Sequence, residues 1–200
     1  MSRMSGERVD PGRNNGLDLA TETLLREIQV AQDSPKNGYA RALGEIRAGC
    51  KQSCWIWWIW PSLAPVRSTS RPQYSMPDLG AAFQVMQHEV LGVRLREITS
   101  VAVEHLRSGT LKSPAAPTVL FGSSIDATKF HESATCFAVG SVELGLEEDL
   151  RLWTAALEAF GGHLEESTMA YVAGDGGRQR YRGVTTSAQL LAMKPPMDND

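Results

Sequence analysis

Cysteine is scarce in this chain: three among 200 residues, Cys50, Cys54 and Cys136. Three thiols cannot build a disulfide framework, and so sparse a set fits a reducing compartment. The expected location is cytoplasmic. Long apolar runs are missing too; the longest, Trp55–Trp60, falls far short of the ~20 residues that cross a bilayer. No membrane association is therefore expected, and the polar start Met1-Ser2-Arg3-Met4-Ser5 is not a secretory signal. There is no basic excess either. A formal charge of −3 argues against nucleic acid as the main partner. Gly174-Asp175-Gly176-Gly177 lacks the Lys-Ser/Thr ending of a phosphate loop. His88, His105, His131 and His163 have no spacing that would complete a metal site with Cys50 and Cys54. Neither a metal nor a cofactor is expected.

What the chain does have is tryptophan in one place. Four of its five tryptophans fall in Lys51-Gln52-Ser53-Cys54-Trp55-Ile56-Trp57-Trp58-Ile59-Trp60-Pro61. Burying one indole contributes about 4–6 kcal/mol of gross transfer free energy, so this block is the natural anchor of a core. It is apolar on every face, and periodicity cannot choose between strand and helical turn. The absence of a nearby pairing strand favours a helix or an irregular turn. The remaining composition, 42% hydrophobic and 22% charged, is that of an ordinary globular domain.

Helical periodicity runs through most of the rest. Leu17, Leu19, Leu24, Leu25, Ile28 and Ala31 mark a first helix, closed by the turn residues Asp33–Gly38. Tyr39, Ala42, Leu43 and Ile46 mark a second, with Gly49 where a terminating glycine belongs. Beyond the tryptophans, Pro61–Pro72 reads as a loop rich in small and basic residues. Ser75-Met76-Pro77-Asp78 opens a helix through Met86, and another is expected over His88–Leu106, ending at Gly109. Ser113–Pro117 is a connector. Ser123–Asp126 offers caps for a helix carrying Phe130 and Phe137. Glu147–Phe160 and Glu165–Val172 follow. The expected fold is all-α: a single compact bundle of about six or seven helices over 17–173, between a disordered tail at 1–16 and a flexible C-terminal tail at 174–200, in which Ala188–Met193 suits a weak turn of helix.

Several of these segments together resemble one family. Tyr39–Pro61 is similar to the signature of the bacterial domain-of-unknown-function 1810 family, in which a helix ends in Gly before Lys, Ser and a Trp/Phe-rich stretch. Tyr74-Ser75-Met76, His88–Leu95, and Asp126-Ala127-Thr128-Lys129-Phe130 with Ser133, Thr135 and Phe137 match later segments in order, as do Phe160-Gly161-Gly162 and Thr168-Met169-Ala170. The resemblance implies an all-α fold and no particular activity. Three positions depart from the pattern: Cys54 stands where members carry His, Ser62 where they carry Gln, and Glu89 where they carry Pro.

The candidate ligand-binding residues are Lys51, Ser53, Trp55, Tyr74, Asp126 and Lys129; no catalytic residue is assigned. A lysine beside indole walls suits an anionic group next to a planar one, although Lys51 equally suits a solvated helix-end charge. Asp126 and Lys129 read either as an N-cap with a first-turn side chain or as an acid with a positioning lysine. His88 and Arg94 fall on one expected helix, and Arg94 reads as a surface ion pair. Two functions follow. The first is a non-catalytic module that uses the Trp-flanked surface and the Arg67–Arg71 loop to bind a small anionic molecule or a protein partner. The alternative is an enzyme acting on a nucleotide-like, NAD- or ADP-ribose-type small molecule, which requires Lys51, Ser53, Tyr74, Asp126 and Lys129 to meet in one cleft.

Overall fold

The computed structural model describes residues 18–108 and 116–196. The expectations for the 1–16 tail, for Gly109 and for the Ser113 end of the connector lie outside those residues. The first apolar stripe folds as α1 (Leu19–Gln32), capped by the Asp18 carboxylate on the Thr21 amide, and it buries Leu24, Leu25 and Ile28, whereas Leu19, expected on the same side, is exposed in the first turn. The second folds as α2 (Tyr39–Arg47), burying Ala42, Leu43 and Ile46. Gly49 ends α2 at φ +80°, where only glycine is unstrained. The Cys50 amide bonds Glu45 O and the Gly49 amide bonds Ile46 O, the paired bonds of a Schellman terminus.

The tryptophan block resolves as one turn of helix, α3 (Ile56–Ile59), flanked by Trp55 and Trp60 in irregular backbone. Trp55, Ile56, Trp58, Ile59 and Trp60 are buried. A loop then leads through the short 3₁₀ turn Pro72–Tyr74 to α4 (Leu79–Gln87), whose cap is Asp78. The chain breaks at His88–Val90 before α5 (Leu91–Arg107), so His88 and Arg94 do not share one helix as expected. The His88 ring nitrogen instead accepts the Val90 and Leu91 amides.

The stretch expected to be a connector and a short apolar segment forms α6 (Ala116–Phe121), which leads into α7 (Ser124–Glu143). α7 is the spine: it lies against α4 and α6, and its residues Phe130 through Val142 are almost continuously buried. Further neighbours of α7 are α8 (Glu147–Leu157), followed by a 3₁₀ turn at Glu158–Phe160, and α9 (Glu166–Ala173). Small residues such as Ala134, Ala138, Gly140 and Ser141 let these helices approach it closely. There are no strands among the described residues, only two isolated bridges, Leu63–Met76 and His163–Thr186.

Two expectations need correction. Ten α-helices form among the described residues, more than six or seven, because the Trp turn, α6 and a C-terminal helix are too short to show periodicity. The segment from Gly174 is also not a loose tail as far as residue 196. It adds a 3₁₀ turn at Gln179–Tyr181 and α10 (Ser187–Leu191), the latter closed by a Thr186/Gln189 capping box. Tyr181 and Leu190 are buried in the core, and the Tyr181 hydroxyl donates to Glu143 at 2.7 Å.

Candidate functional site

Lys51 reaches α7 because the chain after α2 is tied to the end of α6. The Lys51 amide donates to Leu120 O at 2.8 Å, and Gly122, at φ +74°, leaves room for the Lys51 carbonyl, which a Cβ would approach to 2.7 Å. The Lys51 ammonium then meets the Asp126 carboxylate at 2.6 Å. Lys129 stands one turn along α7 and contacts the other Asp126 oxygen at a long 3.4 Å. The cap of α7 is Ser123, whose hydroxyl accepts the Asp126 amide, so Asp126 is a first-turn residue and not the cap. Its carboxylate is held between two ammonium groups, all three side chains at least 85% buried.

The same face of α7 carries Glu132 and Ser133, at the three- and four-residue steps from Lys129 that bring side chains together. The Ser133 hydroxyl shares its proton between Trp60 O at 2.9 Å and Pro61 O at 2.8 Å, pinning the tryptophan turn onto the helix. Glu132 is 3% exposed and takes the Arg67 guanidinium bidentately, with Nε at 2.7 and 2.9 Å and an Nη at 2.6 Å. Arg67 belongs to the loop between Leu63 and Met76, whose ends are joined by Ala64 N–Met76 O and Met76 N–Ser62 O bonds of 2.8 and 3.0 Å. Half of the basic loop is thus committed to an internal ion pair.

The four indoles differ in their hydrogen bonds. Trp55 donates to Glu45, Trp58 to Asn37 O and Trp60 to Thr99. The Trp57 N–H is buried and has no acceptor. Trp57 lines a small cavity of about 10 Å³, room for a single water. Ser62, Arg67, Tyr74, Ser75 and Lys129 also line it. The Lys129 ammonium lies 4.2 Å from the Trp57 ring centroid, and the Arg71 guanidinium 5.3 Å from it, both within cation–π range. Tyr74 packs edge-on against Trp58 at 5.3 Å.

Of the six sequence-derived candidates, Lys51, Asp126 and Lys129 form one charge cluster, and Tyr74 shares the cavity with Lys129. Ser53 and Trp55 turn elsewhere. The Ser53 hydroxyl donates to Glu45 at 2.6 Å and the fully buried Trp55 indole to the same carboxylate at 2.7 Å, although Lys51 still lies 5.1 Å from the Trp55 ring. Trp57 and Glu132 were not among the candidates. Glu132 has a sequence signal, its helical register with Asp126 and Lys129; Trp57 has none, because sequence does not distinguish its N–H from its neighbours'. Of the three departures from the family pattern, Ser62 lines the cavity, whereas Cys54 and Glu89 are exposed. Arg94 forms its surface pair, with Asp33 at 2.8 Å. Wider grooves of about 480 Å³ beside α9 and about 410 Å³ along α1 are lined by no buried charged side chain.

Comparison with known proteins adds the family and the fold. The family model described as protein of unknown function (DUF1810) matches residues 23–172. The crystal structure of the conserved hypothetical protein Rv1873 from Mycobacterium tuberculosis is similar, with 27% sequence identity and a TM-score of 0.63, over 76% of this chain and 98% of that one. None of the curated proteins compared matches the chain. The family match ends at residue 172, ahead of the C-terminal segment that carries Tyr181 and Leu190.

Proposed function

The chain belongs to the DUF1810 family, and we propose that this member is a non-catalytic module that binds a small anionic ligand at the Trp57 cavity. The observation that carries this reading is the Trp57 N–H, a buried donor without an acceptor, set beside the buried Lys129 ammonium. Leaving such a donor unsatisfied costs about 1–3 kcal/mol, and an anion supplies the missing acceptor while neutralising the cations over the ring. A protein partner is the broader form of the same reading, its anionic group entering the same place. The exposed free thiols of Cys50 and Cys54 support a reducing, cytoplasmic setting.

The test is a thermal-shift screen with chloride, benzoate, inorganic phosphate and phenyl phosphate, on the wild type and on Trp57→Phe. A ligand that binds only the folded state raises the melting temperature. At least one anion is expected to do so, by less in Trp57→Phe. A screen in which no anion shifts the wild type would sink the proposal.

The Lys51–Asp126–Lys129 cluster, with Tyr74 beside Lys129, favours part of the second reading, an enzyme acting on a nucleotide-like molecule, but Ser53 turns away to Glu45. It ranks lower because each carboxylate of the cluster is already committed, Asp126 to two lysines and Glu132 to Arg67, leaving no free general base. Turnover of a nucleotide-like substrate, abolished by Lys51→Ala, would reverse the ranking.

A further inference from the structure

We infer that the anion taken at Trp57 is the dianionic phosphoryl group of a phosphate monoester. The inference rests on the binding reading above and adds the charge and shape of the ligand.

The charges around the cavity decide it. Arg67 is neutralised by Glu132 through contacts of 2.6–2.9 Å, and Lys51 by Asp126 at 2.6 Å. Two cations remain. Lys129, 8% exposed, has only a long 3.4 Å contact to the second oxygen of the carboxylate whose single charge Lys51 already pairs at 2.6 Å. Arg71 has no carboxylate partner among the described residues; its guanidinium lies over the Trp57 and Trp58 rings at 5.3 and 5.9 Å. Both surplus charges therefore lie against the same indole, Lys129 buried within the cavity lining and Arg71 exposed outside it. A carboxylate or a sulfate ester compensates one of them, whereas a phosphate monoester above its second ionisation, near pH 6, compensates both.

Shape agrees with charge. The inner chamber, about 10 Å³, admits a single oxygen. Trp57, Ser62, Tyr74 and Ser75 line it, and their indole N–H and hydroxyls form no side-chain hydrogen bond among the described residues. Lys129 is within the same lining. A tetrahedral phosphoryl group that places one oxygen in the chamber leaves two outside it, a pair suited to the fork of Arg71, the exposed cation over the same Trp57 ring. Terminal oxygens of the dianion accept hydrogen bonds and donate none, which suits a chamber whose nearby carboxylates are all occupied.

Phenyl phosphate and phenyl sulfate separate the alternatives, because they share shape and differ by one charge. Isothermal titration of the full chain at pH 7.5 is expected to show phenyl phosphate binding about tenfold or more tightly than phenyl sulfate or benzoate. Lowering the pH to 5 weakens phenyl phosphate alone, as it becomes a monoanion. Arg71→Gln, an exposed position that spares the fold, reduces phenyl phosphate affinity by about tenfold and removes the preference over sulfate. Equal binding of phenyl sulfate or benzoate would overturn the dianion assignment and leave anion binding standing. No binding of any of the three would overturn both.

Discussion

The Glu45 carboxylate accepts the Trp55 indole N–H at 2.7 Å, and four further donors converge on the same group. They are the Gln52 amide at 2.8 Å, the Ser53 amide at 3.0 Å, the Ser53 hydroxyl at 2.6 Å and Arg41 Nε at 3.0 Å. Burial opposes the charge, but hydrogen bonds from Ser53, Gln52, Arg41 and Trp55 outweigh it and hold the pKa down at about 2. One acid at the end of α2 thereby fixes the whole approach to the tryptophan turn.

Because the folded pKa is depressed, Glu45 stabilises the fold fully above the unfolded value, near 4.5, and loses that contribution as pH falls towards about 2. Glu45→Gln turns an amide NH₂ towards donors and is expected to cost about 2–4 kcal/mol at neutral pH. Urea unfolding of both proteins between pH 7 and 2 checks this: the gap between them should narrow below pH 4.5.

Arg67→Met leaves Glu132 as a buried carboxylate without its guanidinium. The expected loss is about 2–4 kcal/mol, softened by the 30% exposure of the Arg67 side chain. Adding Glu132→Met to the same protein should restore most of it. A double-mutant cycle by thermal denaturation measures the coupling.

Two indole substitutions should differ in sign or size. Trp60 is 1% exposed and donates to Thr99 at 3.0 Å, so Trp60→Phe both opens a void and strips a buried hydroxyl of its donor, costing about 2–4 kcal/mol. Trp57→Phe removes a donor that has no acceptor and should stay within about 1 kcal/mol of wild type without ligand. Melting temperatures in anion-free buffer distinguish them.

Leu190→Ala, in the segment beyond the family match, should cost about 2–4 kcal/mol, because Leu190 is fully buried. The backbone bonds Leu164 N–Thr185 O and Ser187 N–Gly162 O tie the same segment down, at 2.9 and 2.8 Å. Limited proteolysis of the native protein should spare residues 178–191; rapid cleavage there would contradict the packing.

The helices with a wide apolar stripe, α1, α5 and α8, are legible in the sequence because burial imposes the 3.6-residue period on them. The C-terminal segment is legible only as a weak turn of helix over Ala188–Met193, near α10. It is held by single side chains, Tyr181 and Leu190, spaced by glycines and short turns that leave no period to read. The Lys51–Asp126 contact was foreshadowed only by the two segments that resemble the family, since nothing local relates residues so distant along the chain. The separate behaviour of Ser53 could not be anticipated, because its partner, Glu45, lies on the preceding helix.

The backbone junction between Leu63 and Met76 also bears on how such a protein can change. A loop whose ends are fastened to each other passes little strain to the structure beneath it, and its length contributes to closure entropy only logarithmically. Thr69 and Arg71 can be exchanged as one cassette while Arg67 keeps its pair with Glu132 and Tyr74 its packing on Trp58. Ligand preference is then tunable by grafting that segment alone, and fold stability by the parts of the loop and core beneath it.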